Sequence, residues 1–217
     1  MPRSLRSVAL GEQLADILRL EVVTGRMAVG QRLVEDTLAT RHGISRGPVR
    51  DALRTLAAEG LLESRQRGFF VKPFTGQDID ELYDIREAAE QLASRLAISR
   101  ASPDGWEIAD RELAAMVEHA DRGDKHNYAR ADLAFHTQFY VLSGSSRLLT
   151  LWHQFQPTFA TLLDITNAQD DDLHPSADDH RELLNLAKAG DVTAFSGMLD
   201  DHLAGSRRRM QAALRAT

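Results

Sequence analysis

Three segments within the first 60 residues carry apolar residues at helical spacing. The apolar positions of the first segment share one helix face: Leu10, Leu14, Ile17, Leu18 and Val22. This pattern ends at Gly25, and a shorter second segment, "VEDTLATRHG", ends at Gly43. The third segment, "ISRGPVRDALRTLAAEG", has Ser45 as a candidate N-cap and Gly60 as a stop signal. The pattern predicts three helices, with "MAVGQRL" as a short connector between the first two.

The period of the pattern changes after Gly60. Two short runs with strand character, "LLESR" and "GFFVKP", lie on either side of "QRG". They predict a β-hairpin with Gly68 at its tip. Three helices followed by a hairpin within about 65 residues form the layout of a winged helix-turn-helix.

Beyond Pro73 the strand signal disappears and the helical period returns. Six amphipathic segments with short connections predict an all-α six-helix bundle. Pro157 lies inside the fourth segment, where we expect a bend. The fold class predicted is mainly α, with a winged helix-turn-helix and its small hairpin in residues 1–75 and the helical bundle in residues 76–217.

The charge is divided unevenly between these two parts. Residues 1–75 hold 12 Lys and Arg against 8 Asp and Glu, whereas residues 76–217 hold 14 against 24. A basic front on an acidic body indicates that the first part faces a polyanion. The chain has no cysteine, no apolar run long enough to span a membrane and no apolar secretion signal. These features favour a cytoplasmic protein with no membrane partner.

Two arginines stand at the start of the third predicted helix, where the helix dipole disfavours cations. Arg46 and Arg50 share one face, opposite a predicted buried stripe that consists of Val49, Leu53, Leu56 and Ala57. In a helix-turn-helix this end of the helix enters the DNA major groove, where a guanidinium binds guanine O6 and N7 or a phosphate. Gly47 leaves room for close backbone approach. The alternative is a solvated helix face with ordinary arginines.

The predicted hairpin carries basic residues at its turn. Arg65 and Arg67 flank the tip, with Gly68 beside them. A tight basic tip fits the DNA backbone or the minor groove. The alternative is a charged turn that only keeps the hairpin soluble.

The stretch "ISRGPVRDALRTLAAEGLLESRQRGFFV" resembles the DNA-binding domain of the GntR family of transcription regulators, over about residues 8–73. The resemblance implies DNA contacts from two groups, the helix residues Ser45, Arg46, Gly47 and Arg50 and the wing residues Arg67 and Gly68. Some members of the family use an arginine at the start of the second helix, but "VEDTLA" is acidic there in this chain. That contact is therefore not carried over.

A second group of residues has the character of a metal site. Asp132 and His136 stand four residues apart on one helix face, and His180 and His202 lie on two further predicted helices. Carboxylate and imidazole ligands suit Zn²⁺, Ni²⁺, Mn²⁺ or Fe²⁺, with zinc favoured here. The alternative is that these are surface or hydrogen-bonded histidines, since the chain has eight of them.

The helical half resembles the FCD effector domain of GntR regulators, over about residues 78–212. Its marks are "ELYDIREAAEQLASRLA", "DLAFH", "HRELLNLAKAGD" and "MLDDH". The resemblance implies a metal held by four ligands that leave positions open for a small carboxylate, namely Asp132, His136, His180 and His202. Arg86 is a candidate to bind that carboxylate, and a salt bridge from Arg86 to Glu90 is the alternative.

We therefore expect a homodimeric transcription regulator, most simply a repressor, that binds a palindromic operator in double-stranded DNA. Residues 76–217 would dimerise and bind a small organic acid that releases the DNA. Three alternatives remain: a metal-dependent hydrolase that uses the Asp and His residues, a regulator that senses the metal itself, and a purely structural metal.

Overall fold

The computed structural model describes the backbone of residues 5–215 and the side chains of residues 9–215. Its contacts divide the chain into two compact units, with the division between Thr75 and Gly76. Unit 1 contains α1 (Leu5–Val23), β1 (Arg32–Leu33), α2 (Glu35–His42), α3 (Arg46–Ala58), β2 (Leu62–Arg65) and β3 (Gly68–Val71).

Helix α3 follows the apolar pattern of the sequence closely. Ser45 is its N-cap residue, in an extended conformation, and Gly60 adopts a φ of +80° where the chain turns into β2. The core of unit 1 includes the α3 residues Val49, Ala52, Leu53 and Leu56. Ala57, expected in the buried stripe, is only half-buried, because it lies at the edge of the face that packs inward.

An ion pair that the sequence pattern did not indicate joins α1 to the end of α3. Arg19 is 2% exposed and donates from Nε and Nη2 to the two carboxylate oxygens of Glu59, at 2.6 and 2.7 Å. A buried bidentate ion pair of this kind fixes the relative position of two helices. It therefore holds α3 against the body of unit 1.

The wing is a three-stranded antiparallel sheet with the order β1-β3-β2. Strands β2 and β3 form the predicted hairpin, and β1 pairs Arg32 with Phe70 and Leu33 with Phe69. The prediction that "MAVGQRL" is only a connector was wrong, since its last two residues form β1. A two-residue strand is too short to show a period of two, so its pairing partner determines it.

Unit 2 is helical, as predicted, with six α-helices and one short 3₁₀-helix among its described residues. The elements are α4 (Gly76–Arg100), the 3₁₀-helix (Pro103–Trp106), α5 (Glu107–Asp121), α6 (Lys125–Leu142), α7 (Ser146–Asn167), α8 (His174–Ala189) and α9 (Val192–Arg215). Helix α7 continues from Ser146 to Asn167 with Pro157 inside it.

Helix α6 lies at the centre of unit 2 and packs against α4, α5 and α7. It buries large aromatic side chains, including Phe135 and Phe139, on the same helix as the polar residues Asp132 and His136. A helix surrounded on several sides has little polar face, so polar residues on it are buried with the core. This position places the predicted metal ligands inside the bundle. None of the helices in the described part of the chain is long and apolar enough to cross a membrane.

Candidate functional site

Three buried histidines from three helices meet inside unit 2. His136 comes from α6, His180 from α8 and His202 from α9, and their side chains are 0 to 5% exposed. One ring nitrogen of each lies within 4.8 Å of the others, and Nε2 of His136 is 3.1 Å from Nε2 of His180. These are three of the four ligands predicted from the sequence.

The other ring nitrogen of each histidine, Nδ1, contacts a polar group outside the cluster. His136 Nδ1 contacts the Glu90 carboxylate, and His180 Nδ1 lies 2.6 Å from the backbone oxygen of Ser176. His202 Nδ1 is 3.4 Å from Oδ2 of Asp179. Carboxylate and carbonyl partners of this kind fix the tautomer and orientation of metal-binding imidazoles. These outer contacts thus leave the Nε2 atom of each ring free for a metal ion.

The chemistry of this donor set fits a cation. When Nδ1–H of His136 and His180 donates outward, both Nε2 atoms carry lone pairs, and these lone pairs face each other across 3.1 Å. Two acceptors at that distance repel unless a proton or a metal ion lies between them. Burial and the neighbouring His202 ring lower the pKa of His180 to about 3, which favours the neutral, metal-binding form.

Asp132, the fourth predicted ligand, lies beside two of the histidines. Its Oδ1 is 3.8 Å from Nε2 of His136, and its Oδ2 is 3.5 Å from Nε2 of His180. Burial would raise the pKa of Asp132, but its electrostatic interactions with His180, His136 and Arg86 lower it. The carboxylate is therefore ionised and adds negative charge to the three imidazoles.

Arg86 forms the salt bridge that the sequence left open as one of its two possible roles. Its Nε donates to Glu90 Oε2 at 2.9 Å, so the expected salt bridge is present. Burial alone would raise the pKa of Glu90, but His136 and Arg86 lower it to about 2. The Arg86 guanidinium also lies 5.0 Å from the ring centre of Phe159. It is therefore a buried cation held by a carboxylate and an aromatic face.

A narrow cavity adjoins the histidines. Arg86, Asp132 and His202 line it together with Asn167, Ser206 and Arg209. Among the residues that the structure describes, Nη2 of Arg86 and Nδ2 of Asn167 are buried donors without a hydrogen-bond partner. Buried donors of this kind are costly unless a ligand or water accepts from them. The cavity has a volume of only about 10 Å³, the size of one water, so an anion that accepts from these donors would enter only if the cavity opened.

The predicted DNA-binding residues of α3 lie on the surface of unit 1. Ser45, Arg46, Gly47 and Arg50 are all exposed. Arg46 forms an ion pair with Asp36, and Arg50 donates from Nε and Nη2 to the carboxylate of Glu35, at 3.0 and 2.7 Å. Both carboxylates belong to the first turn of α2.

The wing residues are accessible as well. Arg65 and Arg67 are exposed, and Arg65 pairs with Glu63 at 2.7 Å. Gly68 has a φ of +121°, which side chains disfavour. A groove of about 230 Å³ separates the wing from the helices, and its lining includes Arg32, Arg46 and Arg67.

Sequence reasoning missed the residues that reach the two sites only through helix packing or strand pairing. Arg32 belongs to the short strand β1, and Asn167 lies at the end of α7, far in sequence from the histidines. The sequence indicated Glu90 only as a partner of Arg86, and it did not indicate Asp179 or Ser176. The sequence carries no local signal for them, since they meet the site only through helix packing. The other five histidines of the chain lie outside the cluster: His42, His119, His126, His153 and His174.

Comparison with known proteins identifies two matching regions in the chain. Residues 10–71 match the family described as bacterial regulatory proteins of the gntR family, and residues 81–205 match the FCD domain. Over 203 residues the chain is 32% identical to the probable D-xylose utilization operon transcriptional repressor of Paenarthrobacter nicotinovorans. That alignment covers 93% of this chain and 89% of the relative.

Two further comparisons extend the match. The gluconate operon transcriptional repressor of Bacillus subtilis is 27% identical over 73% of this chain and 65% of its own length. The solved structure of McbR/YncC from E. coli shares the fold, with a TM-score of 0.70 at 22% identity over 90% of this chain and 94% of that one. These relatives and both families are transcription regulators rather than enzymes. The chain therefore belongs to the GntR family of DNA-binding transcription regulators, with a winged helix-turn-helix and an FCD domain.

Proposed function

We propose that this protein is a cytoplasmic repressor whose operator affinity is controlled by a small carboxylate bound beside a metal ion in unit 2. One observation carries the proposal: three buried histidines converge beside a cavity that His202, Asp132 and Arg86 line, and Nη2 of Arg86 has no hydrogen-bond partner. In this proposal residues 1–75 are the DNA-binding domain, and residues 76–217 bind the effector and dimerise.

The proposed metal is divalent and is held by His136, His180, His202 and Asp132. Zinc fits best, because it accepts imidazole and carboxylate ligands in one small site, although nickel, manganese and iron share this preference. When bound, the ion supplies a positive charge and free coordination positions for a carboxylate oxygen. Glu90, Ser176 and Asp179 keep the rings oriented toward it.

The effector is proposed to be a small carboxylate that accepts hydrogen bonds from the donors of the cavity. Arg86 Nη2 and Asn167 Nδ2 gain acceptors that they otherwise lack. The name of one relative refers to an operon for gluconate, which is a hydroxylated carboxylate. Thr166, Ser206 and Arg209 of the lining offer further polar groups to such an acid once the cavity opens to admit it.

The DNA side of the proposal assigns the operator contacts to α3 and the wing. Arg46 and Arg50 enter the major groove beside Ser45 and Gly47, and Arg65, Arg67 and Gly68 of the wing follow the backbone or the minor groove. Two chains in a symmetric dimer read the two halves of a palindrome. The effector releases the operator only if it binds the DNA-free arrangement more tightly than the DNA-bound one.

The operator contacts are tested by duplex binding of the full-length protein. A DNA site is first enriched from a random duplex library, and its dissociation constant is then measured for Arg46→Ala and Arg50→Ala. We expect both variants to bind at least about tenfold more weakly. Arg122→Ala, an exposed arginine paired with Glu118 on α5, is the matched control and should bind normally. Undiminished binding by both α3 variants would reject this assignment.

The effector site is tested by Arg86→Lys, which keeps the buried charge opposite Glu90 but removes the guanidinium fork. Small carboxylates are screened for those that raise the melting temperature of the zinc-loaded protein. A carboxylate that stabilises the wild type should stabilise Arg86→Lys much less. Arg95→Lys, on the exposed side of α4, is the control. An equal shift in the wild type and Arg86→Lys would remove Arg86 from the site.

A further inference from the structure

The two arginines proposed to read DNA each have a carboxylate partner on the neighbouring helix. Glu35 Oε1 and Oε2 accept from Nε and Nη2 of Arg50, and Asp36 pairs with Nε of Arg46. The four side chains remain on the surface, since Arg46 is 66% and Arg50 49% exposed. Acidic residues in the first turn of α2 also suit the dipole of that helix, but the dipole does not require them to reach α3.

The contacts with Glu35 leave free the end of the Arg50 guanidinium, which is the edge that can contact a base. A guanidinium has five N–H donors, and Glu35 occupies one on Nε and one on Nη2. The remaining donors include one N–H on each terminal nitrogen, side by side. That pair matches guanine O6 and N7. Glu35 thus holds the guanidinium by its side while its end stays available to a base.

The same carboxylates oppose contacts with phosphate. Together Glu35, Asp36, Arg46 and Arg50 carry no net charge, although three of them line the same groove as Arg32 and Arg67. An arginine free to swing would neutralise a phosphate on any sequence and so raise non-specific affinity. A tethered arginine beside a carboxylate gains less from a phosphate than from a guanine in the right place.

We propose that Glu35 and Asp36 are specificity-determining residues, which position Arg50 and Arg46 for guanine and discourage their binding to phosphate. This inference rests on the proposed DNA-reading role of α3. It assigns to the acidic start of α2 a function in sequence discrimination, in the place where an arginine would add affinity. The two carboxylates act through the arginines and need no base contact of their own.

The test compares the enriched duplex with a scrambled duplex of the same composition, for the full-length protein at several salt concentrations. Glu35→Gln combined with Asp36→Asn should bind the scrambled duplex more tightly and lower the ratio of specific to non-specific affinity about tenfold. On scrambled DNA, the slope of log K against log salt concentration should become more negative by about one to two, because each added phosphate contact contributes about 0.9 to that slope. Glu118→Gln is the control, with the same change of charge per residue at an arginine-paired carboxylate of α5.

Two further variants separate positioning from charge. Glu35→Asp keeps the charge on a shorter side chain, so the ratio should still fall; wild-type behaviour would reject a positioning role. In an Arg50→Ala background, Glu35→Gln should no longer change the ratio, because Glu35 acts through Arg50. An unchanged ratio and salt slope in the double variant, in protein that melts normally, would overturn the inference. Loss of operator binding in Arg46→Ala and Arg50→Ala, measured separately, shows whether the proposed function itself stands.

Discussion

Each buried histidine of unit 2 uses its two ring nitrogens differently, with Nδ1 toward a fixed partner and Nε2 toward the cluster. Of the three outer partners, Asp179 is the most accessible, with a side chain 43% exposed. Its hydrogen bond to His202 therefore can be altered without opening the core. Glu90, in contrast, is completely buried between Arg86 and His136, and a change there would leave a buried cation unpaired.

Asp179→Asn should weaken zinc binding about tenfold. The amide is a poorer acceptor for Nδ1–H of His202, and loss of such an outer partner lowers metal affinity by about 10- to 100-fold in other sites. Asp178→Asn is the matched control, since Asp178 is exposed and pairs with Arg181 instead. Competition with a chromophoric chelator measures both affinities. An equal fall in the two variants would show that only the general charge of α8 matters.

The Arg19–Glu59 pair makes a stability prediction for unit 1. Glu59→Gln should lower the free energy of unfolding by about 3 kcal/mol, because it removes the buried carboxylate that accepts twice from Arg19 and leaves this cation only the exposed Asp16. Glu21→Gln breaks a pair with Arg41, whose side chain is 54% exposed, and should cost about 0 to 1 kcal/mol. Denaturant unfolding of both variants is the measurement. Similar losses would contradict a special role for the buried pair.

At the scale of elements, the beginning of α3 combines helix formation with room for DNA. Gly47 lies in the first turn, and a Cβ placed on it would meet no heavy atom within 4 Å. Gly47→Ala should therefore leave the fold intact or stabilise it by up to about 1 kcal/mol. If the DNA backbone approaches here, the added methyl group should still weaken operator binding. Gly197→Ala, an equally open glycine in α9, is the control for stability and should leave DNA affinity unchanged.

The fold was largely predictable from the sequence because its longer elements carry strong periods. In α3 the apolar spacing of Val49, Leu53 and Leu56 marks a buried face, and the structure buries all three completely. Strand β1 could not be predicted in this way. Its two residues are ordered by pairing with Phe69 and Phe70, about 37 residues later in the chain.

The site was predictable only where its residues are local. Asp132 and His136 share a helix face by their spacing alone, whereas His180 and His202 were candidates only by residue type until the family resemblance added them to the ligand set. The cavity donor Asn167 ends α7 and had no signal of either kind. Convergence across α6, α8 and α9 depends on helix packing, which one sequence does not specify at the level of side chains.

For the whole molecule, metal binding should act as a stabilising ligand of unit 2. Zinc at about 100 times its dissociation constant should add about 2.7 kcal/mol to the stability of the folded state. Hydrogen exchange of the chelated and zinc-loaded protein should show added protection in α6, α8 and α9, which supply the ligands. His180→Ala should show little added protection, while His153→Ala, an exposed histidine of α7, should behave like the wild type. Equal protection in His180→Ala would place the metal elsewhere.

Control of DNA by the effector requires that the two binding events oppose each other. Linkage makes this opposition reciprocal: if the carboxylate weakens operator binding by some factor, the operator weakens carboxylate binding by the same factor. Typical couplings correspond to about 5- to 150-fold, which titration calorimetry resolves. The zinc-loaded protein should therefore bind its carboxylate more weakly by that factor when saturated with operator duplex, but not with scrambled DNA. Identical carboxylate affinities with and without operator would mean that the cavity of unit 2 does not regulate the DNA-binding surface of unit 1.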